Sequence, residues 1–136
     1  MLREVLYGQT GMPVLKNALD AHTMRQRAIA SNIANVETAG YVPRKVTFEE
    51  RLARAMGDPN NKLVQSDPEH MPLRTNPKNV KGLIVEDEDA VNPAGTNAVD
   101  IEQQMTGLAT NSIHYRLIAK SAAGLFNKMR TLAQLP

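Results

Sequence analysis

The chain has 136 residues, of which 42% are hydrophobic but only 4% aromatic, with no Trp, no Cys and a net charge of +2. That length suits one ordinary domain; a chain without cysteine forms no disulfide or thiolate metal site, and so small a charge gives no footprint for a nucleic-acid partner. So few aromatic residues are poor material for a compact core and better suit long helices packed through Leu, Ile, Met and Ala.

The first residues, Met1 to Gly11, lack a long apolar stretch ending in a small-residue cleavage site, so no cleaved secretory signal is expected. No apolar run in the chain approaches the ~20 residues of a membrane span, so a chain that does not span a membrane is expected. From there, Met12, Leu15, Leu19, His22, Gln26, Ile29, Ile33 and Val36 alternate in spacings of three and four. This is a heptad seam with two polar positions, and it predicts an amphipathic helix of roughly 35 Å over 12–36. Pro13 fits only near the start of such a helix, where its missing N–H costs nothing.

The run Ser31 to Tyr41 lies where this helix should stop. On local physics alone it reads as a helix end and a turn, because Asn tolerates left-handed geometry and Gly40 supplies a positive φ. After Tyr41, the segment Val42 to Phe48 alternates weakly and contains Pro43, which predicts an extended or edge strand. Glu49 to Met56 predicts a short helix. Residues 57–96 are dense in Pro, Gly and Asn, which predicts loops with one possible strand at Val80–Val85.

The last segment repeats the helical pattern at greater length. Ile101, Met105, Leu108, Ser112, Tyr115, Ala119, Ala122, Phe126, Met129 and Ala133 form a second seam, with Asn97 or Asp100 as its cap. A neighbouring stripe, Ile118, Leu125 and Leu132, widens the apolar face and predicts contact with more than one helix. A bare hairpin of the two helices cannot bury both faces, so the ends are expected to order fully only in an assembly.

Groupings with residue types suited to chemistry are weak. His22 and His114 lie on different helices without His or carboxylate partners at metal-binding spacing, and are read as seam or surface residues. Glu86-Asp87-Glu88-Asp89 lacks the Gly and terminal Glu of a calcium loop and reads as a solvated acidic loop. Arg3, Lys16, Arg25 and Arg27 have no interleaved aromatics and read as contact or solvated positions. No Ser/His/Asp set and no glycine-rich phosphate loop is present, so neither an enzyme, a cofactor nor a small-molecule substrate is expected.

Two stretches carry a family resemblance. Asn32-Ile33-Ala34-Asn35-Val36-Glu37-Thr38-Ala39-Gly40-Tyr41 resembles the N-terminal signature of the bacterial flagellar rod and hook proteins, Asn-(Ile/Leu)-Ala-Asn-x-x-Thr-Pro-Gly-(Tyr/Phe). Ala39 stands where Pro is usual, which keeps the turn but makes it less rigid. Asn97 to Met105 resembles the Asn-x-Val-Asp-(Leu/Ile)-Glu-x-Glu-Met run of short rod proteins, with Gln104 replacing the second Glu. Leu108-Ala109-Thr110-Asn111 and Tyr115 continue that run. The short middle, Arg25-Gln26 and Val46-Thr47-Phe48 look most like the proximal type within the flagellar basal-body rod family.

The resemblance implies a mainly α structural subunit. Residues 1–36 and 97–136 would be long helices pairing as a coiled coil in an inner layer, and residues 37–96 an irregular middle with minor β structure. It implies an assembly motif at Asn32, Ile33, Asn35, Thr38, Gly40 and Tyr41. The packing seam would comprise Leu15, Leu19, Ile29, Ile33, Ile101, Met105, Leu108, Tyr115, Phe126 and Met129, with His22, Gln26 and Ser112 setting its register. Implied partners are copies of itself, other rod proteins, the ring-to-rod adaptor and the flagellar type III export apparatus, in a periplasmic rod that transmits motor torque. The alternative reading is a soluble helical chaperone or adaptor of a secretion system.

Overall fold

The structure is a computed structural model that describes residues 11–57, 76–87, 89–90 and 98–134. It is mostly helical. Helix α1 spans Met12–Ala34, strand β1 Arg44–Thr47, helix α2 Glu49–Met56, a 3-10 turn Pro77–Asn79, strand β2 Leu83–Glu86 and helix α3 Ile101–Ala133. Each predicted element is present, the short helix Glu49–Met56 with its expected ends and the others with shifted ones. Asn97, one of the two candidate caps, lies outside the described residues.

Helix α1 opens with Pro13 in its first turn. It stops at Ala34, two residues before the apolar pattern does, because Asn35 offers its own backbone an alternative. The Asn35 side-chain amide donates to the Ser31 carbonyl at 2.8 Å, and its N–H reaches the carbonyls of Ser31 and Asn32 at 3.2 Å. A reverse turn follows, closed by the Tyr41 N–H on the Thr38 carbonyl at 3.2 Å, with Gly40 at φ +72°. No atom lies within 4 Å of a Cβ added at Gly40, so the backbone angle and not space demands glycine there.

Strands β1 and β2 pair antiparallel, Lys45 opposite Val85 and Val46 opposite Ile84. Lys45 Nζ bridges Asp87 Oδ1 at 2.7 Å, and that hydrogen bond holds the ammonium above its usual range. The acidic run is thus partly structural: Glu86 ends the strand and Asp87 pairs with Lys45, while Glu88 lies outside the described residues. Helix α2 begins with Glu49 and Glu50, which suit the positive end of its dipole, and stops at Gly57. Helix α3 is capped by Asp100, whose Oδ1 accepts from the N–H groups of Glu102 at 2.9 Å and Gln103 at 3.2 Å.

The apolar core lies between α1 and the sheet. Ala18, Ala21, Ala28, Val46, Phe48 and Val80 form it, with Met24, Leu52, Ala55 and Ile118 packed around. Ala18, Ala21, Arg25, Ala28 and Asn32 repeat the three-four spacing on a face of α1 beside the large-residue seam. The alanines let the chain come close: a Cβ at Gly82 would sit 3.0 Å from the Ala21 Cβ. So α1 serves two neighbours at once, the sheet through small residues and α3 through larger ones.

Candidate assembly site

The α1–α3 contact is polar where the two motifs meet. Asn32 is 1% exposed and fully bonded. Its amide nitrogen donates to the Arg44 carbonyl at 2.9 Å and to Gln104 Oε1 at 3.0 Å. Its Oδ1 accepts from the Arg44 N–H at 2.8 Å and the Tyr41 hydroxyl at 3.1 Å. The carboxamide therefore pairs with β1 as a neighbouring strand would, and also holds the turn and α3. Gln104, where the rod pattern has Glu, keeps the acceptor that this bond needs.

Further along, His22 and Asn111 form the second polar contact, both buried. Asn111 Nδ2 donates to the His22 carbonyl at 3.0 Å, which assigns its Oδ1 as acceptor; His22 Nδ1 therefore carries a proton toward it at 2.7 Å. The His114 ring stands edge-on to His22 with centroids 5.9 Å apart. The two histidines, unrelated in sequence spacing, are thus neighbours. Among the described residues no three His, Asp, Glu or Cys side chains converge to hold a metal. Nor is any described helix long and apolar enough to cross a membrane.

Arg25 closes the same side. Its Nη2 donates to Glu49 Oε2 at 2.6 Å and to the Val46 carbonyl at 3.3 Å. Burial alone would push the Glu49 carboxyl up; the Arg25 hydrogen bond, its own backbone N–H and the charges of Arg25 and His22 outweigh that and hold it below the usual range. Arg25, Glu49, Thr106, Thr110 and His114 line an open cleft at this point.

The expected site residues divide into groups. Of the turn motif, Asn32 is buried, Ile33, Asn35 and Tyr41 are half-buried, and Thr38 and Gly40 are exposed. Ile29 is buried, and Leu15, Leu19, Leu108 and Met129 are half-buried. Gln26, expected to set register, is exposed, whereas Ser112 is half-buried and turned back onto the Leu108 carbonyl at 2.9 Å. Ile101, Met105, Tyr115 and Phe126 remain 48%, 54%, 41% and 56% exposed. The stripe of α3 that meets α1 runs instead through Gln104, Gly107, Asn111 and Ile118. At ~100° per residue the expected seam lies about a quarter turn round from it. The linking roles of Arg25 and Asn111 are not among the sequence expectations; the signals for them are their place in the three-four spacing and in the runs that carry the resemblance.

This geometry defines a class of protein: a helix pair locked by polar side chains, with apolar stripes left exposed on the longer helix. Comparison with known proteins is specific. The family described as Flagella basal body rod protein matches residues 12–41. The flagellar basal body rod protein FlgB of Bacillus subtilis (strain 168) is 30% identical over 118 residues, covering 87% of this chain and 88% of that protein. Those of Borreliella burgdorferi and Escherichia coli (strain K12) are 31% and 26% identical over 116 and 126 residues, covering 82% and 88% of this chain and 86% and 89% of theirs. The chain belongs to the flagellar basal body rod protein family.

Proposed function

We propose that the chain is a structural subunit of the flagellar basal-body rod, stacking helically with its own copies and other rod proteins in the shaft that carries motor torque. The uncovered apolar stripes of α3 are the observation that supports this reading best. Ile101, Met105, Ile113, Tyr115, Leu117, Phe126 and Leu132 are each 41–64% exposed. Covering the exposed part of seven such side chains is worth on the order of 5–10 kcal/mol. That is comparable with the ~4–15 kcal/mol association costs, so one neighbour is not enough and several are needed together. Cooperative growth onto an existing tip follows from that balance.

In this reading the two long helices form the inner layer of the shaft, and β1, β2 and α2 face its outer neighbours. We further propose, from the resemblance, that the subunit belongs to the proximal, periplasmic part of the rod, beside the ring-to-rod adaptor, after delivery by the flagellar type III export apparatus. A chaperone or secretion adaptor is not favoured, since the relatives are named as rod proteins over most of their length. The test is a deletion strain examined for basal bodies by electron microscopy. Rings without a rod, restored by the wild-type chain, support the proposal; intact basal bodies overturn it.

A further inference from the structure

The small sheet is finished on one side only. The Asp87 N–H donates to the Pro43 carbonyl at 2.7 Å. By antiparallel alternation, the backbone groups of residues 43, 45 and 47 then face those of 87, 85 and 83, and those of 44, 46, 84 and 86 point away from the partner strand. On the β1 side three of the four outward groups are taken: Asn32 bonds both N–H and C=O of Arg44, and Arg25 bonds the Val46 carbonyl. On the β2 side, no described residue outside the strand pair bonds the outward N–H and C=O of Ile84 or Glu86. That edge also shows Leu83 and Ile84, 51% and 43% exposed.

Charge runs along the same edge. Lys81 stands before the apolar residues, and Asp87 and Asp89 follow them. We infer that β2 is a docking edge for β2 of a second copy of this chain, running antiparallel. The product is a four-stranded sheet whose outer edges are both covered by Asn32 and Arg25. Only even-numbered residues turn their backbone outward, so two two-fold registers fit. Ile84 meets Ile84 of the second copy, or Val85 meets Val85. The first sets Lys81 opposite Asp87 of the second copy, so opposite charges flank an apolar centre; in the second no such pair is set, because the chain turns after Asp87, the Ala90 N–H bonding the Asp87 carbonyl at 3.1 Å. Parallel pairing in register sets Lys81 on Lys81 and Asp87 on Asp87, and is disfavoured for that reason.

A two-fold contact uses the open edge of each copy and stops at two chains. A polar helical shaft has no such axis along its stacking direction. The pair is therefore a form of the subunit outside the shaft, and it covers an apolar edge that otherwise invites indiscriminate strand addition.

The test is sedimentation equilibrium of the full chain, alone and as variants. The wild type is expected at twice its 15.0 kDa mass at high concentration, dissociating on dilution. Ile84→Pro removes an outward donor and no bond to β1, so it should run as a single chain with the helical circular dichroism unchanged. Lys81→Glu should weaken association by about tenfold or more, and less so in high salt. Because the chain has no cysteine, Ile84→Cys and Val85→Cys each report one register: directly opposed Cα atoms, ~5.5 Å apart at the hydrogen-bonded position 84 and ~4.5 Å at the non-hydrogen-bonded position 85, lie within disulfide reach, and one of the two variants should cross-link on mild oxidation. A wild type that stays monomeric overturns the inference. So does a dimer that persists in Lys81→Glu with neither cysteine variant linking, or one abolished by Phe126→Glu but intact in Ile84→Pro. Should Ile84→Pro lose its helical signal, the charge and cysteine variants decide.

Discussion

Replacing Asn32 by Asp keeps the side chain's shape and removes its two donor hydrogens. The acceptor oxygen still takes the Arg44 N–H and the Tyr41 hydroxyl. The other oxygen now faces the Arg44 carbonyl and Gln104 Oε1, formerly its acceptors at 2.9 and 3.0 Å. Gln104 can turn its amide to donate, but the carbonyl cannot. One lost bond at ~1 kcal/mol, plus ~1 kcal/mol for a carboxylate pressed against a carbonyl in a buried place, gives about 2 kcal/mol. For a chain of this size that is a fall in Tm of about 7 °C. Urea unfolding followed by far-UV circular dichroism measures it, with an unchanged slope showing that the unfolded state is not altered. The effect depends on pH. Burial raises the folded pKa of the new carboxyl above its unfolded value of ~3.9, so the penalty is absent below that value and grows as pH rises through the folded pKa. Wild type and variant should converge in acid. A loss under ~0.5 kcal/mol at neutral pH, or a gap that widens in acid, refutes the assigned bonding.

Four other expectations follow from the same contacts. His22→Leu leaves Asn111 Oδ1 unbonded and should cost ~1–3 kcal/mol in urea unfolding, part of which returns in His22→Leu/Asn111→Leu. Gly40→Val forces a β-branched residue to φ +72° and should cost ~1–2 kcal/mol by the same assay, with Gly40→Asn costing less. Glu49, held below its usual range and half exposed, contributes under ~1 kcal/mol; that contribution is present above the unfolded pKa of ~4.3 and is lost as pH falls through the lower folded pKa, so Glu49→Gln should be weaker than wild type at neutral pH and equal to it in acid. Phe126→Glu, on an exposed position, should move the unfolding midpoint of the purified chain little and abolish swimming in soft agar.

Local chemistry made several features legible. The short helix Glu49–Met56 has the limits expected of it and stands between Phe48 and Gly57. Gly40 and Asp100 are residues whose backbone role is written in their type. The alanine face of α1 was not legible, because pattern reading weighs large apolar residues and alanine adds little to it. Its importance comes from smallness, and only the approach of Gly82 to Ala21 shows that. In α3 the sequence declared several apolar stripes without saying which one the chain covers itself. Polar pairs decide that, since Asn32 with Gln104 and His22 with Asn111 fix the rotation of α3 and leave Met105 and Phe126 outside. The same pairs make His22 a partner of Asn111 instead of an odd residue in an apolar seam.

The bonding of Asn32 also sets an order in time. Its contacts with Tyr41 and Arg44 reach only 9 and 12 residues along the chain, while the one with Gln104 reaches 72. Helix end, turn and first strand can close around three of its four bonds as soon as that stretch is present, because short loops cost little to close. One amide hydrogen then waits, already aimed, for a residue that arrives most of a chain length later. The N-terminal third thus carries a preformed docking point, and the last helix is recruited to it rather than found by search.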